Sequence, residues 1–430
     1  LPHLGVGCTA GDEESWSVFK DLYYPVIQDW HGYDANTQKH PTDLDAGKLK
    51  FTAEQKAKFE EYVASTRIRA ARNISGFALP CGATDDERKG VEDVVSGALT
   101  SITDPDLKGT YYKLGELSDE QRDFLLNKGY LFQIPTARNL LMGAGAARSW
   151  PNNRGIFHND NQTALAWCNE EDHCRIISMK DGGDIPDVFR RFGNLSKALE
   201  ATGAKLMWNE TLGYMGTCPS NLGTGLRASV MIKLECFNKI LEDPNSSHED
   251  KELLEQVCSQ FDLQPRGSAG EHSPAKNSKF DVSNKQRLGF SEVELVQKMI
   301  DGVTKLIELE EMLAGGATPA QVRAKAGIGG GESICDGLLK TYKDTTGTTF
   351  ETGVDDKDTA DFTYARFTEC PKFTDKHKSA MAKYMKPDLW DKLKDAKTSK
   401  GYTVSNAVQT GCLLPHLGVG CTAGDEESWS

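Results

Sequence analysis

Cys218-Pro219-Ser220-Asn221-Leu222-Gly223-Thr224-Gly225-Leu226-Arg227 sets a thiol, a hydroxyl, a turn-forming Asn/Gly pair and a guanidinium close together. Pro219 bars a regular ladder or helix there, and Gly223 and Gly225 let the backbone come close to whatever binds. A thiol beside a hydroxyl is held as thiolate when cations surround it. Standing alone, such a cysteine reads as an ordinary buried thiol. The neighbours have to decide between these. An apolar run at residues 228–234 follows and reads as a strand.

Two further motifs lie upstream, Ser65-Thr66-Arg67-Ile68-Arg69 and Asn169-Glu170-Glu171-Asp172-His173. Together the three closely resemble the phosphagen (ATP:guanidino) kinases, which are the creatine, arginine and taurocyamine kinases and their relatives. The resemblance covers nearly the whole chain. It implies reversible transfer of the γ-phosphoryl group of ATP to a small guanidino substrate, with ADP as the product nucleotide and Mg2+ as its metal. Such a transfer needs fixed positive charge around a moving anionic group. Arginine suits it, because a planar fork that never loses its proton binds phosphate oxygens in pairs.

Matched motif by motif, the resemblance implies phosphate-binding roles for Arg67, Arg69, Arg175, Arg227 and Arg266, with Ser65 beside them and His158 on the adenine side. Glu171 matches the carboxylate that grips the guanidinium, and Glu271 matches the second one found in arginine kinases. Carboxylates against a guanidinium edge orient it and accept its proton. Cys218 is implied as a thiolate near the guanidinium nitrogens, tuned by Ser220. Glu170 and Asp172 are implied near the water shell of Mg2+, with no direct protein ligand to the metal. Gly5 and Val6 fall in a copy of the loop that sets substrate choice in the family. That loop is short here, and with Glu271 it favours arginine over creatine or taurocyamine. His173 reads as structural, and Trp167 as either core or site. Met231 stands where the family usually has histidine. Residues 273–278, with Pro274, replace a mobile loop that usually carries glycines. Those departures keep open a catalytically impaired scaffold and a protein that binds ATP only as a regulator.

The elements that must position these residues read as α+β: a small all-helical domain and a larger domain whose antiparallel sheet is flanked by helices. Strands are expected at 163–167, 174–179, 206–208 and 228–234, and an amphipathic helix over 18–35. Capping boxes at Ser118 and Ser291 start two more helices, the second running to Gly315-Gly316. Residues 36–50 read as a connection between subdomains. Gly327-Ile328-Gly329-Gly330-Gly331 lacks the Gly-Lys-Ser/Thr of a phosphate loop and reads as linker.

Residues 1–17 recur unchanged at 414–430, an offset of 413. A window cut from a tandem array has this form. The expected division is 1–42 as the tail of one small domain, 43–313 catalytic, 314–372 linker, and 373–430 the start of the next repeat. Partners would then be fused or oligomeric kinase repeats. The 430 residues carry 50 basic and 63 acidic side chains, a net charge of −13, with no basic stripe to suit nucleic acid. No apolar run reaches membrane-span length. Eleven cysteines without a Cys-x-x-Cys suit reduced thiols, hence a cytoplasmic setting or another site of ATP use such as a flagellum.

Overall fold

The computed structural model describes the chain apart from residues 1–5, 133, 136–139, 202, 268–276, 329–366, 368, 374–376, 378 and 414–430. Its centre is an eight-stranded sheet, antiparallel throughout. The strands are β1 (Val63–Arg72), β2 (Gly109–Lys113), β3 (Gly155–Asn159), β4 (Ala164–Cys168) and β5 (Cys174–Asp181). A separate hairpin pairs β6 (Trp208–Asn209) with β7 (Gly213–Tyr214); β8 (Leu226–Lys233), β9 (Leu263–Gly267) and β10 (Lys279–Asn284) complete the large sheet. Its spatial order is β2-β3-β4-β5-β1-β8-β10-β9. Pro265 sits on β9, an edge strand, where a missing N–H costs no ladder bond.

Side chains alternate across a strand, so each of the two faces has one character. On one face Ile68, Ile176, Ala228, Val230, Ile232 and Val282 join the main core. Helices Asp85–Thr100, Ile185–Ala201 and Glu292–Ala314 cover that face. Loss of a buried branched side chain from such a core typically costs about 2–5 kcal/mol. The other face carries Ser65, Arg67 and Arg69 from β1 opposite Met231, Ser229 and Arg227 of β8. One end of that face is closed by a smaller cluster that includes Tyr130, Phe132, Ile156, Leu165 and Trp167.

A second core joins the two ends of the chain. Helix Lys20–His31 buries Leu22, Tyr23, Val26 and Ile27 against Met381, Trp390 and Val408 from helices Ala380–Tyr384, Pro387–Leu393 and Val404–Leu413. The backbone pairs too: Met381 N–H donates to Val6 O at 2.9 Å, Thr9 N–H to Ala407 O at 2.9 Å, and Gly411 N–H to Gly7 O at 3.1 Å. Residues 380–413 therefore fold back onto residues 6–31 of the same chain.

Several expectations need correction. The helix placed over 18–35 is Ser15–Val18 followed by Lys20–His31, closed by Gly32 in the left-handed conformation. Residues 206–208 lie outside the main sheet; Leu206 makes only an isolated bridge with Ile74. The 314–372 linker, expected to hold some local helix, has helix Pro319–Ala326 near its start, and Val322 and Ala326 of that helix enter the main core. Residues 36–50 are tied down, since His40 is buried and its N–H donates to Glu210 O at 2.7 Å. The capping boxes at Ser118 and Ser291 are formed, and the second helix ends at Ala314.

Candidate active site

The arginine-bearing face opens into a cavity with about 390 Å³ of empty space, walled by Arg69, Glu171, Arg175, Asn221, Arg227 and Arg266. Register explains why residues so far apart in sequence meet. Arg69 of β1 stands opposite Arg227 of β8 and Ile177 of β5, and Arg266 of β9 stands opposite Asp281 of β10. Arg175, at the start of β5, stands opposite Ala71 and Trp167. Arg67 lies on the same face with its guanidinium carbon 5.7 Å from the centre of the Trp167 ring, a cation–π arrangement. Trp167 belongs to the smaller core cluster and meets the site face through Arg67; its indole N–H donates to Tyr130 O at 2.9 Å.

The acidic run between β4 and β5 is folded around Arg175. Its Nη1 lies 2.9 Å from Glu170 Oε2, its Nη2 contacts Glu171 Oε2, and Asp172 Oδ2 is 3.6 Å away. Burial raises the Glu171 carboxyl above the usual range, with Arg175 opposing and Asp172 and Glu170 reinforcing the rise. Asn221 Nδ2 donates to Glu171 Oε1 at 3.3 Å, and Thr217 Oγ1 donates to Glu171 O at 2.6 Å. Asp172 Oδ1 accepts from Asn73 Nδ2 and from Thr217 N–H, both at 3.0 Å. His173 is neutral and structural: Nδ1 accepts from Ile74 N–H at 3.0 Å, while Nε2 donates to Ala78 O at 2.8 Å.

Cys218 is fully buried, with Sγ 3.1 Å from Ser220 Oγ. The protein's own groups here favour the thiol over the expected thiolate. Burial, then the nearby Glu171 charge, pushes the thiol up, and Ser220 only partly offsets them. A cation seated between Glu171 and Cys218 would reverse the balance. Gly223 needs its residue type: φ is +82°, and an added Cβ would lie 2.6 Å from Leu288 Cα. From below, Arg72 donates Nη1 to Thr224 O at 2.9 Å, with its guanidinium 3.5 Å from the centre of the Tyr214 ring.

Other expected residues fall elsewhere. His158 stacks on Tyr112 at 5.2 Å, three strands from β1, and its Nδ1 donates to Asn159 O. Val6 is buried in the core that joins the chain ends and does not wall the cavity. Glu271, Gly5 and the 273–278 loop lie outside the described residues. Met231 is on the site face between Ser65 and Asp281. As for Mg2+, no group of three metal-ligating side chains converges among the described residues. Glu170 and Asp172, largely engaged by Arg175, Asn73 and Thr217, fit a metal held through water and phosphate.

Residues 90–313 match the model of the ATP:guanido phosphotransferase C-terminal catalytic domain, and residues 1–28 and 375–430 match that of its N-terminal domain. The chain belongs to the ATP:guanido phosphotransferase family. It is 40% identical over 434 residues to the flagellar creatine kinase of Strongylocentrotus purpuratus, covering 99% of this chain but 33% of that relative. The testis creatine kinase of Oncorhynchus mykiss is 46% identical over 317 residues, 73% of this chain and 79% of its own. Among solved structures, a lombricine kinase superposes with a TM-score of 0.65 at 41% identity, over 73% of this chain and 83% of that one. The duplicated taurocyamine kinase of Schistosoma mansoni gives a TM-score of 0.62 at 37% identity, over 71% and 41%.

The N-terminal-domain match is split between the two ends of this phosphagen kinase family member, and described residues of both segments pack together in the second core. The sequence gives no role to Asp281 or Arg287 and marks Asn221 only as part of a turn. Arg227 Nη2 pairs with Asp281 Oδ2, and Arg287 also walls the cavity. Asp281 could have been found from the strand alternation of Phe280-Asp281-Val282-Ser283, which puts the carboxylate opposite the apolar core positions. No local signal marks Arg287. The nine described cysteines are all free, and no described helix is long and apolar enough to cross a membrane.

Proposed function

We propose that this chain transfers the γ-phosphoryl group of ATP reversibly to a guanidino substrate, with arginine favoured. The guanidinium gives up a proton to a carboxylate. Its freed nitrogen attacks the γ-phosphorus as the bond to the β–γ bridging oxygen breaks, and ADP leaves. One observation carries this reading: Glu171 shares a cavity wall with Arg69, Arg175, Arg227 and Arg266. The arginines offset the charge on the transferred group. A carboxyl lifted by burial is a better base near neutral pH. Mg2+ bound with the nucleotide would supply further charge neutralisation, and Glu170 and Asp172 would be the residues near its water shell. Ser65, Arg67 and His158 keep their family roles in this proposal, and Cys218 acts as a thiolate once the guanidinium cation sits between it and Glu171.

Glu271 supports arginine, while the likeness to creatine, lombricine and taurocyamine kinases supports the neighbouring substrates. The repeat of residues 1–17 at 414–430, together with a 434-residue alignment inside a much longer relative, supports one period of a tandem array. Such an enzyme would serve a cytoplasmic or flagellar site of rapid ATP use. The test is a coupled assay with ATP and a panel of arginine, creatine, taurocyamine and lombricine. Turnover is expected, with the highest kcat/KM for arginine. Turnover highest with another member moves the substrate assignment. Failure with all four, in protein shown to be folded, overturns the enzyme reading in favour of the scaffold.

A further inference from the structure

Segment 284–288, from the last residue of β10 onward, runs alongside the start of β8 and the loop that carries Cys218 and grips both at successive points. Asn284 Oδ1 accepts from Ala228 N–H at 2.7 Å, and its Nδ2 donates to Leu226 O at 3.1 Å. Arg287 O accepts from Thr224 N–H at 3.3 Å and from Thr224 Oγ1 at 3.2 Å. The side chain of Arg287 then turns back under the loop. Its Nη1 donates to Ser220 O at 2.7 Å and to Asn221 Oδ1 at 2.9 Å. With its Oδ1 fixed by a cation, the Asn221 amide can point only its Nδ2 at Glu171, which it does at 3.3 Å. A chain of contacts thus runs Arg287, Asn221, Glu171, with Cys218 and Ser220 on the same loop.

This arrangement is costly for stability alone. Arg287 is buried, and its pKa is lowered to about 10 by burial and then by the like charges of Arg266 and Arg227. A neutral side chain could cap one carbonyl without bringing a fifth guanidinium to that wall. What the cation adds is the orientation of one amide. An amide rotated by half a turn would present its oxygen to Glu171, and the two would repel.

We propose that Arg287 is a positioning residue of the guanidino subsite, fixing the 218–221 loop and the orientation of Asn221 so that Glu171 and Cys218 face the acceptor. The proposal rests on the phosphotransfer reading for its kinetic consequence, but not for its structural one. Arg287 Nη1 donates both of its hydrogen bonds to the loop, so nucleotide binding should depend little on it.

The test uses the full chain with Arg287→Lys, Arg287→Met and Asn221→Ala. Three quantities are read: Kd for ADP, kcat and KM for the guanidino substrate, and the alkylation rate of the Cys218 peptide by mass spectrometry. Loss of a charge-assisted buried bond predicts a fall in kcat/KM on the order of 10- to 100-fold for Arg287→Met. Arg287→Lys should recover part of it, and Asn221→Ala should resemble Arg287→Met. Cys218 alkylation should quicken severalfold while the ADP Kd stays within about threefold. If Arg287→Met does not fold, Arg287→Lys and Asn221→Ala give the same readings. An ADP Kd weakened in step with kcat/KM would make Arg287 a nucleotide contact and overturn the proposal. Unchanged alkylation in all three variants would overturn it as well. If the wild-type chain shows no turnover, alkylation and ADP binding still decide the structural claim, so the two failures are distinguishable.

Discussion

Arg227 and Asp281 pair by reach and not by register. Arg227 stands opposite Arg69 in the ladder, while Asp281 stands opposite Met231, yet Arg227 Nη2 contacts Asp281 Oδ2. The pair is buried, and its Arg227 lines the arginine wall. Removing one partner of such a pair leaves an uncompensated charge. Asp281→Asn is therefore expected to lower unfolding stability by about 3 kcal/mol in urea titrations. Combining Asp281→Leu with Arg227→Met should recover part of that loss. A single substitution within about 0.5 kcal/mol of wild type would show that the contact carries no stability.

Glu171→Gln keeps the shape of the carboxylate and removes its basicity. Under the phosphotransfer reading, kcat should fall on the order of 10²- to 10⁴-fold, with ADP affinity nearly unchanged. Steady-state kinetics and nucleotide titration separate the two. An unchanged kcat would remove Glu171 from the proton-accepting role.

The same substitution has a consequence independent of turnover. Glu171 is the second cause, after burial, that holds Cys218 protonated, and Ser220 opposes it. Glu171→Gln should move the alkylation midpoint of Cys218 to lower pH, and Ser220→Ala should move it to higher pH. Opposite signs would show that the electrostatics of this loop have been misassigned.

His40 and His173 are buried and His31 is partly buried, and loss of hydration lowers each to about 4. They are neutral in the fold and take up protons on unfolding below the usual histidine pKa of about 6.5. The unfolded state then binds more protons, so stability rises with pH between about 4 and 6.5, and is lost as pH falls through that window. With all three contributing, the slope reaches up to about 4 kcal/mol per pH unit. Unfolding titrations from about pH 7 to about pH 5 should show it, and His31→Asn should flatten the slope by about a third. A flat profile would mean that these histidines are not held neutral in solution.

The second core depends on residues from opposite ends of the chain. Trp390 is buried there, whereas Lys383 and Lys392 reach Asp29 and Asp21 on the surface. Trp390→Ala should cost about 3–5 kcal/mol. Lys383→Ala should cost less than about 1 kcal/mol, because exposed ion pairs contribute little. If Trp390→Ala leaves the unfolding of helix Lys20–His31 unchanged, residues 380–413 do not pack there in solution.

The strand at 226–233, the capped helix Glu292–Ala314 and the three motifs of the site were legible in the residues themselves. Apolar periodicity, capping boxes and clustered Cys, Gly, Asn and Arg are local signals, within a few turns of chain. Strand β1 was not read as a strand, because Arg67, Arg69 and Arg72 dilute its apolar alternation and only a neighbour's cavity makes arginine a suitable inward residue. The edge strands β2 and β9 are five residues each and carry too little pattern.

Which residue types the chain brings to a phosphate and a guanidinium was written in the sequence. Which of them touch was decided by register and burial. Arg175 is turned onto Glu170 and Glu171 by the β5 ladder, Asp281 is carried to Arg227 by β10, and Arg287 is folded under Asn221 by the segment after it. The protonation of Cys218 belongs to the same level. A thiol's charge depends on what surrounds it in space, and that surrounding is assembled from segments distant in the chain.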